Sequence, residues 1–129
     1  MTELNNQERV DQLIQHFWKN GYLTVKRKYG TYLPEPTRVG TYDVDAIGKQ
    51  RKKYAIGINL SEEELNDPQI VDKLNFLATR NTKYTQKKVL LFVGVAREFR
   101  DKAKLIIARL DTEVRKNIKL AVIPEGNLN

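Results

Sequence analysis

The 129 residues of this chain are enough for one domain with its own hydrophobic core. Hydrophobic residues make up 40% of the chain, which excludes a disordered protein, and no apolar run is long enough to cross a bilayer. The chain contains 23 lysine and arginine residues against 16 acidic residues, and the resulting charge of +7 favours a polyanionic partner. The absence of cysteine excludes disulfides and thiolate metal sites, and the polar start MTELNNQERV is not typical of a secretory signal.

The first half of the chain predicts one helix, one strand and a hairpin. Residues 7–19 carry apolar side chains at helical spacing. The β-branched and aromatic content of 22–29 is typical of a strand, and the prolines and glycines of 30–40 predict a loop. The stretch TYDVDAIGKQRKKYAIGINL that follows is typical of a β-hairpin, with strands near 41–48 and 53–60.

The second half predicts helices that alternate with two further strands. Ser61 is a candidate N-cap, and the apolar stripe beyond Asp67-Pro68 predicts a helix that ends around Asn81. The continuous apolar run KVLLFVGV at 88–95 is typical of a central strand that is covered on both faces. The remaining elements are a long helix with apolar positions from Phe99 to Val114 and a closing strand at 118–124.

The predicted element order is therefore αβββαβαβ. The first three strands can pair as an antiparallel meander, whereas the later helical crossovers demand parallel neighbours. We expect an α/β fold, a three-layer sandwich in which a mixed five-stranded sheet carries helices on both faces. No internal repeat or low-complexity linker divides the chain, so we expect a single domain over 1–129.

The hairpin carries two aspartates that form a candidate site. Side chains alternate along a strand, so Asp43 and Asp45 share one face. A turn centred on Arg51 places Asp45 opposite Gly57 and Asp43 opposite Asn59. A register that differs by one residue breaks this alignment, because it moves every side chain to the other face.

This element order and the DVDAIG strand resemble the PD-(D/E)XK nuclease superfamily, which includes restriction endonucleases and archaeal Holliday-junction resolvases. The resemblance covers most of the chain and rests on element order and one short motif. It implies a restriction-endonuclease-like fold, and it maps Asp45 onto a family aspartate that binds Mg²⁺. The early QERVDQL is similar to the helix that gives some members a further acidic residue, here Glu8, and Asp43 is the third candidate Mg²⁺ ligand.

The chain departs from the family at two positions on the second hairpin strand. In the family, a glutamate there binds Mg²⁺ and a lysine two residues later assists the attacking water. The corresponding residues are Gly57 and Asn59, so one ligand and one positive charge are missing. Catalysis by this chain requires migrated groups, for which Lys53 and Lys73 are the candidates beside Asp45.

Three basic clusters predict contacts with phosphates, and tyrosines interleaved with them suit base stacking. Lysines on edge strands and turns also commonly prevent aggregation, so the clusters have a second explanation. The residues are Lys26, Arg27 and Lys28 on the first strand, Lys49, Arg51, Lys52 and Lys53 at the hairpin turn, and Lys83, Lys87 and Lys88 before the apolar strand.

Three functions follow from these observations. The leading hypothesis is a nuclease-fold protein with a degraded active site, which binds nucleic acid, DNA rather than RNA, or supports an active nuclease or ATPase partner. The competing hypothesis is an active Mg²⁺-dependent endonuclease with migrated catalytic residues. The third is a protein-interaction module in which a sheet edge or helix face forms a homodimer. We expect a cytoplasmic location and no membrane association.

Overall fold

A computed structural model of the chain describes residues 4–80 and 89–124. Its helices and strands follow the predicted order, with two helices in place of one at each of the later crossovers. In chain order they are α1 (Asn6–Lys19), β1 (Leu23–Arg27), β2 (Ala46–Gln50), β3 (Lys53–Asn59), α2 (Glu62–Leu65), α3 (Ile70–Ala78), β4 (Leu90–Ala96), a 3₁₀ turn (Arg97–Phe99), α4 (Arg100–Ile107), α5 (Thr112–Arg115) and β5 (Ile118–Ile123).

The five strands form one mixed sheet in the order β1-β2-β3-β4-β5. The pairs β1–β2 and β2–β3 are antiparallel, whereas β3–β4 and β4–β5 are parallel. The parallel pairs are those whose strands are joined by helices, because a short turn cannot return the chain to the same end of the sheet. The α/β class and the change from antiparallel to parallel pairing are therefore confirmed.

The helices pack on both faces of the sheet. On one face, Leu13 and Phe17 of α1 contact Phe92, whose ring lies 5.0 Å from that of Phe17 in an edge-to-face arrangement. On the other face, α3 packs Leu74 and Leu77 into the larger apolar cluster. The strand residues of this larger cluster are Ile56, Ile58, Leu91, Val93 and Val95. Small side chains of the sheet lie under α1, so this helix approaches the strands closely.

Two predicted elements differ from the structure. The strand predicted at 41–48 begins only at Ala46, because Gly40 has a φ of 64° and the backbones of Val39 and Tyr42 bond each other in a tight turn. The long helix predicted from Phe99 to Val114 is broken after α4. Asp111 adopts an extended conformation with ψ of 151°, and its carbonyl accepts the first hydrogen bonds of α5.

Some predictions lie outside the described residues. Helix α3 ends at Ala78, whereas Asn81, the predicted end, is not described. The first residue of the predicted fourth strand and the basic cluster Lys83, Lys87 and Lys88 also lie in 81–88. Within 4–80 and 89–124, no helix is long and apolar enough to cross a membrane.

Candidate functional site

A polar cleft lies at the end of the sheet where the chain enters β2 and leaves β3. Asp45 directly precedes β2 and Asn59 ends β3, so the two residues meet at this end. The cleft has a volume of about 370 Å³. Its other charged lining residues come from α1, the end of β1, the loop before β2, α2 and α3, and they are Arg9, Lys28, Asp43, Glu64 and Lys73. We refer to it as the Asp45 cleft.

Asp45 is fixed in this cleft by both its backbone and its carboxylate. Its amide N–H donates to the carbonyl of Gly57 at 2.9 Å, and its Oδ2 accepts the amide N–H of Asn59 at 2.7 Å. Its Oδ1 lies 4.0 Å from Nζ of Lys28, and only 20% of the Asp45 side chain is exposed. The carboxylate therefore ties the start of β2 to the end of β3.

Burial of the Asp45 carboxyl raises its pKa above the ordinary aspartate value. The hydrogen bond from Asn59 N–H opposes this shift, as do the positive charges of Lys28 and Lys73, whereas the negative charge of Glu64 adds to it. Desolvation is the largest of these effects. The cleft consequently holds an acidic group in an environment that disfavours its charge, which is common at functional sites.

Glu64 and Lys73 complete the charged part of the cleft. Ser61 caps α2, and Glu64 reaches back so that its Oε1 accepts the N–H of Ser61 at 3.0 Å. Its Oε2 lies 3.5 Å from Nζ of Lys73, which also lies 6.0 Å from the ring centroid of Tyr42. The structure thus places Lys73, a candidate catalytic residue of the sequence analysis, in the cleft of Asp45. Glu64 was not predicted as a site residue, because an acidic residue just after a helix N-cap is already explained by the positive end of the helix.

The predicted register of the hairpin is wrong by one residue. The turn consists of the two residues Arg51 and Lys52 and is not centred on Arg51 alone. Gln50 therefore pairs with Lys53, and Ala46 pairs with Gly57. Gly57 therefore does not lie opposite Asp45, and its side-chain direction is that of the sheet face that α1 covers. The mapping of the family glutamate onto a position that faces Asp45 does not hold in this structure.

The position of Gly57 is set by packing under α1. A Cβ atom added at Gly57 would lie 2.9 Å from Cδ2 of Leu13 and 2.9 Å from Cζ of Phe17. Real Cβ contacts are essentially never this short, so a larger residue would displace the helix or its side chains. The glycine therefore has a structural reason that is independent of any lost catalytic group.

Three of the other predicted site residues have different environments. Asp43 lines the rim of the cleft, is 62% exposed, and forms an ion pair with Arg38 at 3.1 Å rather than lying opposite Asn59. Glu8 caps α1, where its Oε1 accepts the N–H of Asn5 at 3.0 Å, and it does not line the cleft. Lys53 lies at the hairpin turn, so the structure does not bring this candidate catalytic lysine to Asp45.

The predicted nucleic-acid-binding residues divide between the two ends of the hairpin. Lys28 lies in the Asp45 cleft. Lys26 pairs with Ile47 and Lys49 pairs with Tyr54, so both lysines project from the sheet face opposite α1. The turn at the far end carries Arg51, Lys52 and Lys53, all of them exposed.

The side-chain amide of Asn59 does not bind Asp45, which is held by the Asn59 backbone instead. Its Oδ1 and Nδ2 are buried and have no hydrogen-bond partner among the residues that the structure describes. A cavity of about 10 Å³ between Asn59 and Gly94 has the volume of about one water molecule. Asn59 therefore does not supply the missing lysine of the family motif.

The donor groups of the cleft do not form a preformed site for Mg²⁺. One oxygen of Asp45 accepts a backbone N–H, both oxygens of Glu64 have partners, and Asp43 is paired with Arg38. Over 4–80 and 89–124, no three acidic or histidine side chains converge as a metal-binding group would. Mg²⁺ demands nearly ideal octahedral geometry from oxygen ligands, and these engaged carboxylates do not offer it.

Comparisons of this chain with protein-family models, with curated proteins and with solved structures gave no match.

Proposed function

We propose that this chain is a nuclease-fold protein that binds nucleic acid at the Asp45 cleft and hydrolyses it at no more than a trace rate. The observation that carries this proposal is the convergence of Lys28 and Lys73 beside a half-buried Asp45 whose oxygens are already engaged. Lys28 and Lys73 pair with the carboxylates of Asp45 and Glu64 at 4.0 and 3.5 Å, and a bound phosphate would replace these carboxylates as their partner.

The fold supports the nuclease resemblance. The helix-first order, the antiparallel β1–β2–β3 unit and the parallel β3–β4–β5 unit are the arrangement that the resemblance implies. Asp45, which resembles the family aspartate, also lies in a polar cleft at that end of the described sheet. A restriction-endonuclease-like fold is accordingly part of the proposal.

The charge of the chain supports a polyanionic ligand, and we favour DNA over RNA. An excess of 23 basic over 16 acidic residues gives affinity for phosphates through counterion release. The cleft itself is close to balanced, since Arg9, Lys28 and Lys73 face Asp43, Asp45 and Glu64. We therefore expect moderate affinity at the cleft, with sensitivity to salt, rather than tight sequence-specific binding.

A binding experiment tests the first half of this proposal. Fluorescence anisotropy with a labelled 16-base-pair duplex would be measured over a range of salt concentrations for the parent chain and for Lys28→Ala/Lys73→Ala. If each lysine makes one phosphate contact, the log–log salt slope should fall by about 0.9 for each lysine lost. A charge-matched control is Lys104→Ser/Arg109→Ser, because both residues are exposed and lie outside the cleft lining. Equal loss in both variants would remove the cleft as the binding site.

A cleavage experiment tests the second half. Duplex, branched and single-stranded DNA would be incubated with the chain and Mg²⁺ or Mn²⁺, and we expect no more than trace hydrolysis. The competing hypothesis, an active endonuclease with migrated residues, requires Glu64 and Lys73 to replace the missing groups. Robust turnover that is lost in Asp45→Ala and in Glu64→Gln would overturn the proposal and support that alternative.

A further inference from the structure

We infer that a nucleic acid duplex lies along the β1–β2 half of the sheet, from the Asp45 cleft to the hairpin turn, and contacts both ends at once. This inference rests on the proposed function and adds the path, the strandedness and the minimum length of the ligand. We refer to the residues along this path as the basic track. They are Lys26, Lys28, Lys49, Arg51 and Lys52.

Strand pairing places the middle of the basic track on one face. Lys26 pairs with Ile47, and Ile47 and Lys49 are two residues apart on β2. The side chains of Lys26, Ile47 and Lys49 therefore share the face opposite α1. The neighbouring Arg27 points to the other face, where its guanidinium lies 2.7 Å from the carboxylate of Asp11 on α1. Lys26 therefore lies on the face of the basic track, whereas Arg27 binds α1 on the other face.

This part of the face is open to a ligand. Lys49 is exposed, and the adjacent Leu23 is 64% exposed. At the turn, a concave surface of about 600 Å³ is lined by Gln50, Arg51, Lys52 and Lys53. None of the described residues that line this surface is acidic.

Strained backbone marks both ends of the track. Tyr29, which lines the Asp45 cleft, has a φ of 57°, and Arg51 at the turn has a φ of 56°. They are the two non-glycine residues with positive φ in the part of the chain that the structure describes. A left-handed conformation is unfavourable for an L-residue, and such strain concentrates at functional sites. Glycine or asparagine would suit the turn better if its role were only to reverse the chain.

The length of β2 sets the size of the ligand. Asp45 and Arg51 are six residues apart on either side of β2, and an antiparallel strand advances about 3.4 Å per residue, so the two ends are about 20 Å apart. Successive phosphates of one DNA strand advance about 3.4 Å along the helix axis, so about six base pairs are needed to span both ends.

A duplex suits this track better than a single strand. Single-strand binders combine basic grooves with aromatic platforms on which bases stack. The aromatic residue in the middle of this track is Tyr54, which is half-buried, and Nζ of Lys49 lies 5.6 Å from its ring centroid. The lysine therefore occupies the position over the ring that a base would need, and the track presents charge for a phosphate backbone.

DNA hairpins with stems of 4, 8 and 16 base pairs test this inference. Binding would be measured by anisotropy at several salt concentrations for the parent chain, the cleft variant Lys28→Ala/Lys73→Ala and the turn variant Arg51→Gly/Lys52→Ser. Glycine accepts the positive φ at position 51, so the turn variant should fold. The charge-matched control is again Lys104→Ser/Arg109→Ser, and thermal melts confirm folding of every variant.

The parent chain should show a steeper salt slope with stems of 8 and 16 base pairs than with the 4-base-pair stem, because only the longer stems reach both ends. With the 16-base-pair stem, the turn variant should lose about 1.8 from the slope if each removed residue makes one phosphate contact. With the 4-base-pair stem, cleft binding and its slope should persist in this variant. A 16-nucleotide single strand should bind more weakly than the 16-base-pair stem.

The outcomes separate this inference from the proposed function. If the cleft variant weakens every stem but the turn variant changes none, the cleft binds nucleic acid and the basic track is wrong. Tighter binding of the single strand than of the duplex would show that the ligand of the track is not a duplex. If no stem binds with salt dependence, or if the salt slope falls equally in all variants including the control, both the basic track and the proposed function are wrong.

Discussion

Substitution of Gly57 by glutamate discriminates between the observed register and the one that a functional nuclease motif would need. In the structure, residue 57 faces Leu13 and Phe17 under α1. A glutamate would therefore enter an apolar cluster instead of approaching Asp45. We expect Gly57→Glu to destabilise the fold and to create no metal site.

The magnitude follows from the packing. A Cβ at 2.9 Å from two side-chain carbons is an overpacking error, which typically costs about 1–3 kcal/mol. Burial of the glutamate carboxyl without a partner adds about 1–3 kcal/mol when the group is protonated, as burial of the charged form costs far more. Removal of a strand glycine returns about 0.5–1 kcal/mol. The expected net loss is about 2–5 kcal/mol, which is a large part of the roughly 5–15 kcal/mol that stabilises a typical domain.

Urea denaturation and thermal melts with and without Mg²⁺ or Mn²⁺ are the assay. The melting temperature of Gly57→Glu should fall by about 10 °C or more, and added metal should not restore it. Gly57→Ala is the matched control for the steric part, with an expected loss of about 1 kcal/mol. If residue 57 faced Asp45, the two carboxylates would bind metal in the folded state only, and saturation at 100 times Kd would restore about 2.7 kcal/mol. A well-folded glutamate variant with such a metal-dependent gain would refute the packing argument.

Three further predictions concern single residues. Burial raises the pKa of Asp45, so the contribution of this group to stability is fully present below the ordinary aspartate pKa and is lost as the pH rises through the raised value. In urea titrations, Asp45→Asn should therefore be more favourable to stability at pH 7 than at pH 3. An equal effect of the substitution at both pH values would contradict this. Arg51→Gly should stabilise the chain by about 0.5–1 kcal/mol while weakening duplex binding, and a loss of stability would show that the positive φ is not strained. Ser61→Ala should cost about 1 kcal/mol by opening the capping box, whereas an unchanged melting temperature would show that α2 is held by packing alone.

The sequence was sufficient for the fold class because element order constrains strand direction. Helices between β3, β4 and β5 require parallel pairing, and the short turn between β2 and β3 requires antiparallel pairing. Helix α1 and the interior strands of the sheet were predicted from the pattern of apolar residues, because burial of one face of an element is visible in the local sequence.

The register and the composition of the site could not be predicted in the same way. The turn residue with positive φ is Arg51, and no glycine or asparagine marks the turn. The sequence therefore carried no signal that distinguishes a two-residue turn from a turn centred on one residue. Residues Asp43 and Asp45 precede β2, where strand alternation does not apply. Glu64 reaches the cleft because the Ser61 cap turns its side chain back, which depends on how α2 lies against α3.

Titration of the isotopically labelled chain with a 16-base-pair duplex in the presence of Mg²⁺, followed by NMR and then by electrophoresis of the DNA, tests the central claim most directly. The backbone amide signals of Lys28, Lys49, Asn59 and Lys73 should shift with added duplex and return with added salt, and the DNA should be recovered intact. Signals that shift only outside the Asp45 cleft and the basic track would contradict a binding site at the cleft. DNA that is cleaved by the parent chain and not by Asp45→Ala would contradict a non-hydrolytic role.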